Sequence, residues 1–180
     1  MLNWLRKLIC PKPSKCPPET ICPEPMGELQ AATAYFSSDS PAGQRNADEI
    51  IKGFLDRCES YVDIAVYSLT WGPIVDSIIK AHIRGVKVRV LVDKTQGKGR
   101  YSLVDRLADA GVEIILDRRS GSMHNKFMIG DGTAVISGSY NWTKNATTTN
   151  VENFIVVRLS HVINAFQEEF DFLWQHNLPD

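Results

Sequence analysis

The residues of this 180-residue chain that could do chemistry lie close together in the sequence. His124, Lys126 and Asp131 fall within eight residues, and Ser139 and Asn141 follow shortly after them. An imidazole can act as a nucleophile or transfer a proton near neutral pH. A lysine supplies a positive charge, and serine and asparagine supply neutral hydrogen-bond donors. A phosphodiester needs these groups for cleavage, because its phosphorus is attacked while already carrying negative charge.

The run from His124 to Ile129 is predicted to be a β-strand. Alternate side chains of a strand share a face, so His124 and Lys126 are expected to project in the same direction, roughly 7 Å apart. Asp131 occupies the first position of an Asp-Gly hairpin turn, where aspartate is favoured for backbone reasons. We therefore expect Asp131 to hold the loop geometry rather than to touch a substrate.

The spacing His-x-Lys-x4-Asp followed by Gly-Ser-x-Asn resembles the hallmark of the phospholipase D superfamily, and it is complete here. Residues 150–153, Asn-Val-Glu-Asn, are similar to the acidic segment that follows in that family. The resemblance implies the α/β sandwich of the family and a covalent phosphohistidine on His124. It also implies that Lys126, Ser139 and Asn141 bind the phosphate, with no cofactor.

Glu152 is the carboxylate that we expect beside the catalytic imidazole. A carboxylate that accepts a hydrogen bond from the second ring nitrogen fixes the tautomer, as in other enzymes with a catalytic histidine. His82, His161 and His176 lack such surroundings and are interpreted as ordinary histidines. No pair of carboxylates beside His124 has the spacing of a metal site. We therefore predict metal-independent chemistry.

The chain carries one copy of the motif. In-line displacement requires a nucleophile on one side of phosphorus and an acid on the other, and one imidazole cannot occupy both positions. Larger members of the family bring two copies in one chain, whereas short ones pair two chains. We therefore predict a twofold homodimer in which two His124 side chains meet at one shared site.

The resemblance specifies the bond more firmly than the substrate. Short single-motif members include bacterial endonucleases that cut DNA and RNA without sequence preference, and enzymes described as phospholipases or cardiolipin hydrolases. We favour a non-specific endonuclease. The alternatives are a phospholipid hydrolase and a catalytically silent nucleic-acid-binding module.

The charge distribution supplies the argument for nucleic acid. The net charge of −1 favours no polyanion, but residues 80–100 contain seven basic residues and one acid. Such a run is either a solvated face or a surface that attracts polyanions. An aromatic side chain could in addition stack on a base, although core packing explains Trp142 equally well. The candidate contacts are Lys94, Lys98, Arg100, Tyr140 and Trp142.

The elements that must position these residues alternate between strands and helices. Apolar side chains at helical spacing predict helices, and clean alternation, as in residues 86–92, predicts strands. Repeated strand–helix–strand units imply parallel strands, and the Asp-Gly turn implies a hairpin. We predict one α/β domain with a mixed, mostly parallel sheet between helices. Strands are predicted at 31–36, 62–67, 86–92, 112–116, 124–129, 133–137 and 151–159, and helices at 47–58, 74–83, 103–108 and 162–174.

The N-terminal segment differs from the rest of the chain. Residues 1–28 form a predicted Pro/Cys-rich tail, with three of the four cysteines and six of the nine prolines, and residues 29–178 form the predicted phosphodiesterase domain. The prolines oppose regular structure, and the cysteine spacing lacks the close pairs of zinc sites. Residues 1–10 are too short to span a bilayer, so no transmembrane segment is predicted. The cytoplasm is favoured as location, with peripheral membrane contact through residues 1–10 as the alternative.

Overall fold

Seven strands and six helices alternate along the described part of the chain. This part comprises residues 31–39, 43 and 46–178 of a computed structural model. The strands are β1 (Ala32–Phe36), β2 (Tyr61–Val66), β3 (Lys87–Asp93), β4 (Glu113–Asp117), β5 (Lys126–Gly130), β6 (Ala134–Gly138) and β7 (Asn153–Val157). The helices are α1 (Ala47–Arg57), α2 (Gly72–Ile83), α3 (Lys94–Gly97), α4 (Val104–Asp109), α5 (Lys144–Thr148) and α6 (Ser160–His176).

The helices and strands expected from apolar periodicity are all present, with ends shifted by one or two residues. The short helices α3 and α5 were not predicted, because neither is long enough to show an amphipathic period. Each begins at a capping side chain. The Asp93 carboxylate accepts from the amides of Thr95 and Gln96, and the Thr143 hydroxyl accepts from the amide of Ala146. Such caps satisfy amides that have no partner inside the helix.

A single seven-stranded sheet has the order β1-β7-β6-β5-β2-β3-β4. The predicted mixed sheet between helices is confirmed, but the balance of strand directions differs from the expectation. The pairs β2–β3 and β3–β4 are parallel, and the other four neighbouring pairs are antiparallel. The reason is that only β2, β3 and β4 are joined by crossover helices, which parallel pairing requires.

Helices cover both faces of the sheet. On one face, α1 and α2 pack on the even-numbered side chains of the central strands, with Leu55, Ile64 and Ile78 fully buried. On the other face, α6 packs Phe170 against Phe127 of β5 in an edge-to-face contact, with ring centroids 6.4 Å apart. Burying each such side chain contributes roughly 1.5–3 kcal/mol, so the two layers hold the strand ends in place.

The strand registers bring the ends of different strands to one edge, which we call the site edge. Val66 at the end of β2 lies opposite Lys126 at the start of β5, and Asp93 at the end of β3 lies opposite Asp117 of β4. Gly138 at the end of β6 pairs with β7 near its start. Loops that are distant in the sequence therefore meet at the site edge.

The expectations for residues 1–28 lie outside the described part of the chain, and with them those for Cys10, Cys16 and Cys22. Cys58, the cysteine that is described, is buried and unpaired. Its thiol donates to the Phe54 carbonyl oxygen at 3.3 Å, and burial raises its pKa to about 12. Among the described helices, none combines the length and apolar character that crossing a bilayer requires.

Asp131 joins the β5–β6 turn to the start of β2, at the edge opposite the site edge. It has a positive φ of 51°, a conformation that aspartate tolerates better than most residues. Its carboxylate accepts from the backbone amides of Glu59, Ser60 and Tyr61 at 2.8–2.9 Å. Burial opposes ionisation of this carboxyl, but the three amide bonds outweigh it and lower its pKa. The contact aligns β2 with β5.

Asp131→Ala is expected to destabilise the fold by about 2–4 kcal/mol, because three amides lose their acceptor and alanine disfavours a positive φ. Urea unfolding measures the loss. Asp131→Asn, which tolerates the same φ and keeps one acceptor oxygen, should lose about half as much. An alanine variant within about 0.5 kcal/mol of the wild type would show that the turn does not depend on this carboxylate.

Candidate active site

His124 and Lys126 lie side by side at the site edge. The Lys126 ammonium is 3.2 Å from Nδ1 and 3.4 Å from Nε2 of His124, and it donates to the His124 carbonyl oxygen at 2.8 Å. His124 is exposed, whereas Lys126 is buried. An ammonium only donates, so the ring nitrogen that it contacts acts as an acceptor. The pair therefore places an imidazole and a positive charge beside the same small region of solvent.

The predicted strand over His124 was wrong at its beginning. β5 starts at Lys126, and His124 belongs to the connection formed by residues 118–125. The Met123 amide donates to the side chain of Asp93 at 3.1 Å rather than to a neighbouring strand. The two side chains still converge, but a loop held by Asp93 brings them together, not strand alternation.

Asp93 is a site residue that the sequence reasoning missed. It is 4% exposed, and its two oxygens accept from three amides, two at the start of α3 and that of Met123. A buried carboxylate is stable only when hydrogen-bonded in this way. The available signal was its position as the single acid in the basic run, at the end of a strand.

Tyr67 is the second site residue that the sequence reasoning missed, and it packs against His124 and Lys126. Its ring centroid is 4.5 Å from that of His124, with the planes tilted by 55°, and the Lys126 ammonium lies 5.2 Å from the Tyr67 centroid. The Tyr67 hydroxyl accepts from the side-chain amide of Gln96 at 3.2 Å. The negative face of an aromatic ring attracts cations, so Tyr67 supports positive charge at this position.

The surroundings of Lys126 act on its charge in opposite directions. Burial lowers the pKa of Lys126, and the negative charge of Glu152 partly offsets this by favouring the ammonium. Lys126 and Glu152 are each 9% exposed. Electrostatic interactions are stronger at such sites than in water. Glu152 therefore helps to keep Lys126 charged.

Glu152 and Ser139 form one hydrogen-bonded cluster beside this pair. The Ser139 hydroxyl donates to Glu152 Oε2, and the Asn150 side chain donates to Glu152 Oε1 at 2.9 Å. Both carboxylate oxygens thus have partners other than His124 within the same chain. Gly138 allows the close approach of β6 and β7, since a Cβ there would lie 2.2 Å from the Asn153 carbonyl oxygen.

Asn141 lies two residues after Ser139, in the same connection between β6 and α5, and is half-buried. Its side-chain oxygen is the one buried side-chain N or O atom without a hydrogen-bond partner among the described residues. Burying an unsatisfied polar atom costs about 1–3 kcal/mol. A rotation of the amide by 180° would place its NH2 donor at the same position. A polar group with no partner in the fold is free to serve a ligand.

The three predicted basic contacts are exposed on the loop that follows β3. Lys94 begins α3, Lys98 directly follows it, and Arg100 lies beyond it with its guanidinium 5.7 Å from the ring centroid of Tyr101. Tyr101 is 75% exposed.

The prediction that Trp142 or Tyr140 stacks on a base was wrong, because each is only 3% exposed and belongs to the core. Trp142 pairs with Leu69, and the Tyr140 hydroxyl is bonded to Thr147. Burial raises the pKa of Tyr140 to about 12. The exposed aromatic ring beside a cation is that of Tyr101.

Asp131 is separated from His124 by the length of β5, about 14 Å from the strand rise. Within the described ranges, no cluster of three or more His, Cys, Asp or Glu side chains is arranged to hold a metal ion. The side chains that the structure brings together are therefore His124, Lys126, Tyr67 and the Ser139–Glu152 pair.

Comparison with known proteins identifies the family of this chain. The model of the family described as "Cardiolipin synthase, PLD-like domain" matches residues 51–174. A mitochondrial cardiolipin hydrolase from Chlamydomonas reinhardtii is 36% identical over 121 residues, which are 67% of this chain and 54% of the relative. A phospholipase D from Rickettsia felis is 35% identical over 145 residues, which are 81% of this chain and 71% of the relative.

Two solved structures share the fold. Nuc from Salmonella typhimurium, described as a phospholipase D family member, superimposes with a TM-score of 0.71 and 26% identity, covering 80% of this chain and 93% of Nuc. NucT from Helicobacter pylori gives a TM-score of 0.72 at 23% identity, covering 80% and 95%, and this likeness concerns the fold alone.

The chain spans little more than half the length of the cardiolipin hydrolases that it matches, 54% and 59% for those of Chlamydomonas reinhardtii and Xenopus tropicalis. The family match nevertheless covers more than half of the chain and includes both motif runs. With the His-x-Lys-x4-Asp spacing and the seven-stranded mixed sheet, these matches show that the chain belongs to the phospholipase D superfamily.

Proposed function

We propose that this protein hydrolyses phosphodiester bonds without a metal, through a covalent phosphohistidine on His124. The observation that carries the proposal is the Lys126 ammonium 3.2 Å from a ring nitrogen of the exposed His124. A phosphate over this pair would meet its nucleophile and its counter-charge together. Positioning and charge neutralisation account for most of the catalysis of phosphoryl transfer.

The reaction proceeds in two displacements. A His124 ring nitrogen attacks phosphorus, and the P–O bond to the leaving group breaks as a second imidazole gives that oxygen its proton. The same second imidazole then takes a proton from water. The resulting hydroxide attacks phosphorus, the P–N bond breaks, and a phosphate monoester and free His124 are released. Lys126 neutralises the non-bridging oxygens in both steps.

Ser139 and Asn141 bind the same oxygens, and Glu152 supports the cluster. The Ser139 hydroxyl has a single proton to donate, so it exchanges its hydrogen bond to Glu152 for one to the phosphate when substrate binds. The Asn141 side-chain oxygen has no partner in the described part of the fold, so its amide can turn to donate through the NH2 group. Glu152 maintains the Lys126 ammonium by its negative charge. We thus propose that Glu152 keeps Lys126 charged. This role adds to the one that the sequence suggested, which was to support the catalytic imidazole.

The second imidazole is His124 of another copy of this chain. The side chain of His124 is exposed, so a twofold-related copy can approach it. Among the other described histidines, His82 and His161 lie at the opposite edge of the sheet, and His176 contacts the Phe172 carbonyl oxygen of its own helix at 2.9 Å. The functional unit is therefore a homodimer with one shared site.

The substrate that we favour is DNA or RNA, cut without sequence preference. The exposed Lys94, Lys98 and Arg100 follow β3 at the site edge, where they can contact a sugar–phosphate backbone. Nuc, a phospholipase D family member, superimposes on this chain over 93% of its own length.

A phospholipid is the second candidate substrate. Relatives that are 36% and 37% identical carry the name cardiolipin hydrolase. Apolar side chains are exposed near the site edge, with Val151 at 75% and Phe36 at 42% exposure. An exposed apolar patch is what an enzyme needs to approach lipid in a bilayer.

The function is tested by incubating the protein with plasmid DNA, RNA and cardiolipin vesicles in the presence of a chelator. We expect nicking of the nucleic acids. Release of phosphatidic acid alone would establish the lipid enzyme instead, and retarded but intact DNA a binding module. His124→Asn should reduce turnover at least about a thousandfold, whereas His161→Asn, a matched exposed histidine, should not.

The shared site is tested by mixing wild-type and His124→Asn chains at varied ratios after subunit exchange. A dimer that needs two imidazoles is active only when both chains are wild type, so activity should fall as the square of the wild-type fraction. A linear decrease, or activity in a species sedimenting at the 20.2 kDa of one chain, would refute the shared site.

Glu152→Gln is expected to move the alkaline limb of the pH–rate profile to lower pH. The negative charge of Glu152 raises the pKa of Lys126. Its removal lets burial lower that pKa further, so the ammonium is lost at lower pH. The measurement is kcat/KM against pH on a small diester such as bis(4-nitrophenyl) phosphate. Glu113→Gln, at the opposite edge, is the control, and an unmoved limb in Glu152→Gln would contradict the coupling.

A further inference from the structure

An open pocket of about 380 Å³ lies against the outer strand of the sheet, β4. Three cations line it, Lys94 and Lys98 from α3 and Arg118 from the end of β4. Residues 114–116 and Asn177 form the rest of the wall. Arg118 was not among the basic residues considered from the sequence, because it lies outside the basic run.

The positive charge of this pocket is not compensated. Across residues 31–39, 43 and 46–178, none of the three cations forms an ion pair with an acid. The two acids nearest in sequence are buried and engaged elsewhere. Asp93 accepts from backbone amides, and Asp117 accepts from Arg119 at 2.7 Å and from Asn177 at 3.0 Å. Uncompensated cations in a concave wall attract phosphate groups.

Hydrogen bonds between distant segments hold the wall of the pocket in place. Asn177 is 1% exposed, and its side-chain oxygen accepts from the Arg118 amide at 2.6 Å. This contact attaches the C-terminal end of α6 to the end of β4. On the other side, the Asp93 cap fixes the start of α3 and with it Lys94. An exposed lysine on a smooth surface has no such support and is ordinarily only solvated.

The pocket also lies within reach of the catalytic pair. Asp93 and Asp117 are register partners, so the pocket opens at the site edge. Residues 118–125 connect it directly to His124, and the six residues from Arg118 to His124 span at most about 20 Å. A chain molecule with several phosphates could occupy both places, whereas a small diester could not.

We propose that the Lys94–Lys98–Arg118 pocket is a second phosphate subsite, which holds a non-scissile phosphate of a polynucleotide while His124 and Lys126 act on another. The inference rests on the proposed nuclease function. Beyond that function, the inference assigns to this pocket a preference for polynucleotides over small diesters that have a single phosphate. A minimal phosphodiester with one phosphate makes no use of the pocket.

The test compares a dinucleoside monophosphate, which has a single phosphate, with a long single-stranded oligonucleotide, which adds flanking nucleotides and their phosphates. In the triple variant Lys94→Gln, Lys98→Gln and Arg118→Gln, kcat/KM on the oligonucleotide should fall roughly tenfold or more. On the dinucleoside monophosphate it should change less than about twofold. The salt dependence of oligonucleotide cleavage should become less steep by about 2 in its logarithmic slope, for three lost contacts.

A second triple variant, Arg57→Gln, Lys87→Gln and Arg158→Gln, removes the same charge at the opposite edge of the sheet and should keep the wild-type preference. An equal loss in this control would show a general charge effect and overturn the subsite. So would an unchanged preference in the first triple variant, or an equal loss on both substrates. Failure of the proposed function is distinguishable, because the wild type itself would then cleave neither nucleic acid substrate.

Discussion

The geometry of the site depends on one buried carboxylate, that of Asp93. A charge removed from water must be matched by hydrogen bonds, and Asp93 obtains three from backbone amides in two separate segments. One segment begins α3 and the other immediately precedes His124. The requirement to satisfy a single buried group thus places the basic loop and His124 side by side. A second link between the basic loop and His124 runs through side chains, because Gln96 donates to the Tyr67 hydroxyl and the Tyr67 ring packs against His124.

The mixed sheet explains why so many loops can contribute to this edge. Three parallel strands end there, and the antiparallel β5, β6 and β7 either begin or end there. Residues from the connection after β2, the β4–β5 connection and the β6–β7 connection therefore lie around the Lys126 ammonium. The two buried layers of apolar side chains keep these strand ends fixed relative to one another. Electrostatics then tune the site, since burial opposes the Lys126 charge and Glu152 supports it.

The proposed chemistry does not distinguish nucleic acids from phospholipids, because His124 and Lys126 would interact with a phosphate that both substrates share. The choice between nucleic acid and phospholipid must therefore depend on the surface around His124 and Lys126. The uncompensated cations along α3 and the end of β4 favour a polyanion, and the exposed apolar side chains near β1 and β7 favour a lipid surface. These two surfaces lie at opposite ends of the sheet order, with the catalytic pair between them.

The sequence by itself determined the family, the motif residues and nearly every regular element, because motif spacing and apolar periodicity are local properties. It determined the turn at Asp131 for the same reason. Only the tertiary structure decided that His124 precedes its strand, that Trp142 is core, and that Asp93, Tyr67 and Arg118 belong near the site. Each of these depends on contacts between residues far apart in the chain, such as the 30-residue separation of Asp93 and Met123. No local pattern encodes such contacts, since they arise from the order in which strands pair.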